Sequence, residues 1–255
     1  MVIVLNEVIN QIPVLHVVKK EEQESELPLV IFIHGFTSAK ENNLHYAYLL
    51  AEKGFRVLLP DTIYHGEREQ TFSEEKLTTH FWEIVIQTIA EINTLKDHYV
   101  QVGLADEMRI GLVGTSMGGI VTLGALKQYP WIKVAVSLMG TPSYEQFSYW
   151  QLDQMKRHGI TIPFTDEQIA NQLMILRDYD LSNHPKALMN RPVMFWHAKN
   201  DPMVPYSLTF QFYQSILPDY EKNPENLVFI SDERAGHKVS REGLKATVEW
   251  FIKYL

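Results

Sequence analysis

The 255-residue chain has no cysteine, which excludes disulfides, thiolate metal sites and a cysteine nucleophile. It has no apolar run near the roughly 18 residues that a membrane-spanning helix requires. The opening Met-Val-Ile-Val-Leu-Asn-Glu carries no basic region, and its apolar stretch breaks at Asn6 and Glu7, unlike a signal peptide. A cytoplasmic protein is the expectation. Positive charge is scarce: 23 Lys and Arg against 31 Asp and Glu give a net charge of −8. That balance speaks against nucleic acid or a membrane surface as partner and is ordinary for a protein in solution. His-Glu-x-x-His, His-x-His, Gly-x-Gly-x-x-Gly and Walker-type loops are also absent, so neither a metal nor a nucleotide cofactor is expected. The oligomeric state stays open, with a homodimer among the possibilities.

What is present is an alternation of short apolar runs with helical patterns. Residues 2–5 and 14–18 are rich in β-branched residues and predict an N-terminal antiparallel pair. Residues 29–33 form a continuous apolar run of the kind buried on both faces of a sheet, and residues 55–59 predict another buried strand. Further strands are predicted at 108–113, 134–139, 193–196 and 227–230. Helical spacing predicts helices over 41–53, 73–98, 119–128, 207–217 and 241–255. Such an order implies a mostly parallel sheet covered by helices on both faces. The stretch 142–192 breaks the rhythm, because about 50 residues far exceed an ordinary strand-to-strand connection. It mixes Phe147, Tyr149, Trp150, Met155 and Phe164 with polar residues and predicts a small helical cap within one domain spanning 1–255.

The most informative segment is Gly114-Thr115-Ser116-Met117-Gly118, lying between a strand and a helix. A nucleophilic serine must stand clear of the backbone on a tight turn, and glycines on both sides permit that turn. A serine of this kind needs a base, and the base needs an orienting acid. Asp201 follows the strand 193–196 and His237 follows the strand 227–230. Ser116, Asp201 and His237 therefore sit at carboxyl ends of strands, where chemistry gathers in an open parallel sheet. Asp232 is the alternative acid. His34, Asp61 and His65 read as loop-bracing groups, and the part played by His197 is left open.

In these residues, and in their order nucleophile, acid, histidine, the chain resembles the α/β-hydrolase family. His34-Gly35-Phe36-Thr37 is similar to that family's oxyanion loop, and Pro60-Asp61-Thr62-Ile63-Tyr64-His65-Gly66 to its Asp-x-x-x-His-Gly loop. The resemblance runs from about residue 14 to the end. It is nearest to small carboxylesterases of the dienelactone-hydrolase and prolyl-oligopeptidase branches. It implies an α/β-hydrolase fold of about eight strands, with a serine hydrolase acting on small to medium carboxylic esters. Ser116 would be the nucleophile, His237 the base and Asp201 the orienting acid, with backbone N–H groups of Phe36 and Met117 receiving the oxyanion. Tyr64, Phe147 and Trp150 are expected to line the substrate pocket. Two other readings stay open. One is a peptidase, with Glu145, Asp153 or Asp166 anchoring a peptide terminus; the other is a binding protein that has kept the fold without the chemistry.

Overall fold

The computed structural model describes residues 1–255. Eight strands form one sheet in the order β1-β2-β4-β3-β5-β6-β7-β8. β1 (Val2–Ile9) and β2 (Ile12–Lys19) are the expected antiparallel hairpin, and β2 also pairs antiparallel with β4 (Arg56–Pro60). From β4 onward all neighbours are parallel: β3 (Leu27–Ile33), β5 (Ala105–Thr115), β6 (Val134–Leu138), β7 (Val193–Ala198) and β8 (Leu227–Asp232).

The apolar run in β3 shows why both faces must be covered. Leu29, Ile31 and Ile33 enter one core and Val30 and Phe32 the other, following the two-residue period of a strand. The first core is closed by α3 (Phe81–Gln101), α4 (Met117–Gln128) and α7 (Tyr206–Ile216). The second is closed by α1 (Leu44–Ala51) and α8 (Arg241–Tyr254).

Several boundaries differ from those the sequence predicts. The helix expected over 41–53 begins as a 3-10 turn at Lys40–Asn43 and becomes α1 only at Leu44. The Lys40 ammonium is drawn inward by Asp61, which fixes the entry to the helix. The single helix expected over 73–98 is two, α2 (Glu74–Thr79) and α3, with the break at His80. The Ser73 hydroxyl accepts the Lys76 N–H and caps α2, whereas His80 makes no side-chain cap at the start of α3; its imidazole bonds the Glu83 carboxylate at 2.6 Å instead. Between β6 and β7 lie α5 (Tyr144–Arg157) and α6 (Asp166–Arg177), followed by two 3-10 turns. The buried Arg191 guanidinium donates to the carbonyls of Leu126, Tyr129, Ile132 and Ala187, tying the end of this excursion to the end of α4. No helix is long and apolar enough to cross a membrane.

Candidate active site

The β5–α4 junction places Ser116 on a backbone that L-residues rarely adopt, with φ 56° and ψ −115°. Strain of this sort costs about 1–3 kcal/mol and persists only where neighbours enforce it. Here they do. The Ser116 N–H donates to the Leu138 carbonyl at 2.8 Å. A Cβ on Gly118 would stand 2.1 Å from the Ile33 carbonyl oxygen, and one on Gly114 would stand 2.2 Å from the Gly118 carbonyl. Helix α4 can therefore approach β3 and β5 only with glycine at both positions. Gly118→Ala is expected to destabilise the fold by about 3 kcal/mol, measured by urea unfolding. A variant as stable as the parent would show that the turn is not set by this contact.

His237 and Asp201 converge on Ser116 from the ends of β8 and β7. The Ser116 hydroxyl lies 2.7 Å from His237 Nε2, and His237 Nδ1 lies 2.8 Å from both oxygens of Asp201. A carboxylate only accepts, so Nδ1 carries the proton and Nε2 is left as the acceptor for the hydroxyl. The Asp201 side chain is fully buried. Burial alone would push its pKa up. Hydrogen bonds from His197, from His237 and from the Val204 N–H outweigh that and hold the carboxyl well below the usual range. Asp201 Oδ1 also accepts the N–H groups of Met203 and Val204, which lock the carboxylate in place. This arrangement can move a proton from the Ser116 hydroxyl to an imidazole whose positive charge is already balanced.

The alternative acid is engaged elsewhere: Asp232 Oδ1 accepts the N–H groups of Arg234 and Ala235. His197, left open by the sequence, lies beside the acid. Its Nε2 is 3.0 Å from the Val204 carbonyl and 3.5 Å from Asp201 Oδ2.

The loop after β3 runs alongside Ser116, with a Cβ on Gly35 falling 3.6 Å from Ser116 Cβ. The Phe36 N–H donates to no acceptor in the protein. Met117 is the first residue of α4, where N–H groups have no partner within the helix.

Above these groups is a cavity of about 870 Å³. Near Ser116 its wall is aromatic: Phe36 packs on Phe81, and Phe81 on Phe147, with ring centroids 5.5 and 6.1 Å apart. Phe147 in turn stacks on Trp150. Phe147 and Trp150 thus line the cavity as the sequence predicts. Tyr64 does not. Its hydroxyl donates to Glu83, and its ring packs against Phe72 and His80, outside the cavity wall.

Phe81 and Trp82 enter the wall because the helix breaks at His80, which the sequence does not signal. The farther wall carries Gln151 and Gln154 of α5 and Gln168, Asn171 and Gln172 of α6. The spacing 168, 171, 172, 175 marks one face of a helix, a signal the sequence did contain. Glu74 is the one carboxylate on the wall, and no lysine or arginine reaches it. The proposed peptide anchors lie away from it: Glu145 is bound by Arg177, Asp153 by Arg157, and Asp166 begins α6.

Comparison with known proteins agrees with the fold. The description "Prolyl oligopeptidase family" matches residues 42–255. Over 255 residues, covering all of both chains, the sequence is 51% identical to "Putative esterase YitV" of Bacillus subtilis. It is 28% identical over 251 residues to Esterase YjfP of Escherichia coli, covering 96% of each. The fold superposes on that of TT1662 from Thermus thermophilus with a TM-score of 0.73, at 17% identity and full coverage of both.

Proposed function

Because the chain belongs to the prolyl oligopeptidase family of α/β hydrolases, and is an esterase-like serine hydrolase within it, we propose that it hydrolyses uncharged carboxylic esters through an acyl-enzyme on Ser116. The observation that carries this reading is the unbroken run of hydrogen bonds from Ser116 and His237, which line the cavity, to the buried Asp201 behind them.

Ser116 Oγ attacks the ester carbonyl carbon as His237 Nε2 takes its proton, and Asp201 balances the imidazolium. The carbonyl oxygen, now an oxyanion, accepts from the N–H groups of Phe36 and Met117, each worth about 3 kcal/mol of barrier. The start of α4 adds its positive dipole end. Collapse expels the alcohol, which leaves with the proton from His237. Water then repeats the sequence and frees the acid, regenerating Ser116. Helices α5 and α6 act as the cap over this site.

The cavity lies in the upper part of the range for small-molecule sites, roughly 300–1,000 Å³, which suits medium-sized esters. Its charge inventory favours neutral ones. A substrate carboxylate would enter beside Glu74 with no lysine or arginine to meet it. Beside Ser116 the wall is formed by the buried Trp82, Ile120 and Phe147, and a charge left there without a partner costs about 3 kcal/mol, equivalent to about a hundredfold in kcat/KM. The peptidase reading lacks a free carboxylate pair to hold a peptide amine, and the binding-protein reading leaves the Ser116–His237–Asp201 bonds without a purpose.

The test compares 4-nitrophenyl hemisuccinate with its neutral methyl ester, together with the 4-nitroanilide of the same acyl group. The expected order is neutral ester first, the anionic ester about a hundredfold lower, and the anilide slowest. An anilide cleaved as fast as the ester would replace the esterase reading with a peptidase. Equal rates on the charged and neutral esters would remove the claim about charge.

A further inference from the structure

Phe36 sits between two peptide groups with four polar atoms, and the chain anchors three of them. Gly35 O accepts from His34 Nδ1 at 2.8 Å and from the Ser38 N–H at 3.2 Å. Phe36 O accepts from the Thr37 hydroxyl at 2.7 Å, and the Thr37 N–H donates to His65 Nε2 at 3.0 Å. The fourth atom is the Phe36 N–H, which has no acceptor in the protein. The C=O and N–H of a trans peptide point in opposite directions, so fixing Gly35 O aims the Phe36 N–H the other way. Thr37 has φ 58°, a conformation that β-branched residues rarely hold. Something must hold it there, and the acceptor of its N–H is His65.

We propose that His65, as the neutral imidazole protonated on Nδ1, is a positioning residue that aims the Phe36 N–H by holding the Thr37 peptide. This rests on the reading of Phe36 as an oxyanion donor. His65 Nε2 accepts an N–H, so the ring's own proton is on Nδ1, which reaches the Ile63 carbonyl at 2.9 Å and the Thr62 hydroxyl at 3.0 Å. A second proton would set N–H against N–H and release Thr37.

His34 makes the reciprocal bond. Its Nε2 accepts the Thr62 N–H at 3.1 Å, so each loop lends an imidazole to the other's backbone. The groups that act on His65 are Asp61, Glu69 and the His34 ring 5.2 Å away. Burial lowers its affinity for a proton, against the bond to the Ile63 carbonyl and the pull of Asp61 and Glu69. The loop that carries His65 is itself fixed. Asp61, fully buried, accepts the Lys40 ammonium at 2.7 Å, the Lys40 N–H at 3.0 Å and the Glu67 N–H at 3.0 Å.

The experiment measures kcat and KM on a neutral 4-nitrophenyl ester for the wild type, His65→Leu and His65→Gln, with thermal unfolding of each. Leucine fills space but accepts nothing, whereas the glutamine amide oxygen reaches about as far as Nε2 and accepts. His65→Leu is expected to lose about a hundredfold in kcat, with KM within about threefold because ground-state binding does not need the oxyanion donor. His65→Gln is expected to recover most of that loss. Full kcat in His65→Leu, or equal losses in both variants, would overturn the inference. The same holds if the loss lies in KM or simply follows the unfolding temperature. A wild type that hydrolyses no ester would instead remove the reading of the site on which the inference stands.

Discussion

Ser116→Ala is expected to lower kcat on any ester the protein hydrolyses by about 10⁶-fold, with little change in KM. The size follows from what alanine removes. Without Oγ there is no acyl-enzyme, and His237 has no hydroxyl from which to take a proton. The Phe36 and Met117 N–H groups and the cavity remain, so residual catalysis of about 10³-fold over water is expected from them alone. Alanine is smaller than serine and tolerates the same backbone, and the turn is held by Gly114, Gly118 and the Ser116 N–H to Leu138 bond. The variant is therefore expected to fold normally. Steady-state kinetics with circular dichroism of the same samples checks this, and a folded variant retaining more than about a tenth of the parent kcat would contradict it.

Asp201→Asn is expected to cost about 10⁴-fold in kcat. Asp201 Oδ1 accepts the N–H groups of Met203 and Val204. An asparagine would keep its carbonyl oxygen there and turn its NH₂ toward His237 Nδ1. The imidazole must then accept at Nδ1 and carry its proton on Nε2, facing Ser116, where it can no longer act as base. The loss arises from a tautomer, so the fold should be little affected. Near-normal turnover would mean that Asp201 does not orient the base. Asp232, occupied by its own turn, is not placed to substitute.

The sheet was legible because its signals are local. Five-residue apolar runs such as 29–33 are what strands buried on both faces show, as in a parallel sheet with two helical layers. The Gly-x-Ser-x-Gly segment identified the tightest turn, and strand order then brought Ser116, Asp201 and His237 to one edge. What was not legible depends on partners remote in sequence. Nothing near Lys40 predicts that its ammonium is buried against Asp61, twenty-one residues away. Nothing near Tyr64 predicts that Glu83 and His80 draw its ring away from the cavity. The break at His80, which delivers Phe81 and Trp82 to the wall, lies inside a stretch whose apolar spacing reads as continuous. The amide face of α6 was present in the sequence at helical spacing. It stayed silent because a polar face is the usual mark of solvent exposure.

The central claim is that Ser116 is an activated nucleophile within reach of solvent. Intact-mass spectrometry of the wild type and Ser116→Ala, after exposure to a fluorophosphonate at neutral pH, tests it most directly. One phosphonyl adduct on the wild type and none on the variant is the predicted result. No adduct on the wild type, or an equal adduct on both, would contradict the account.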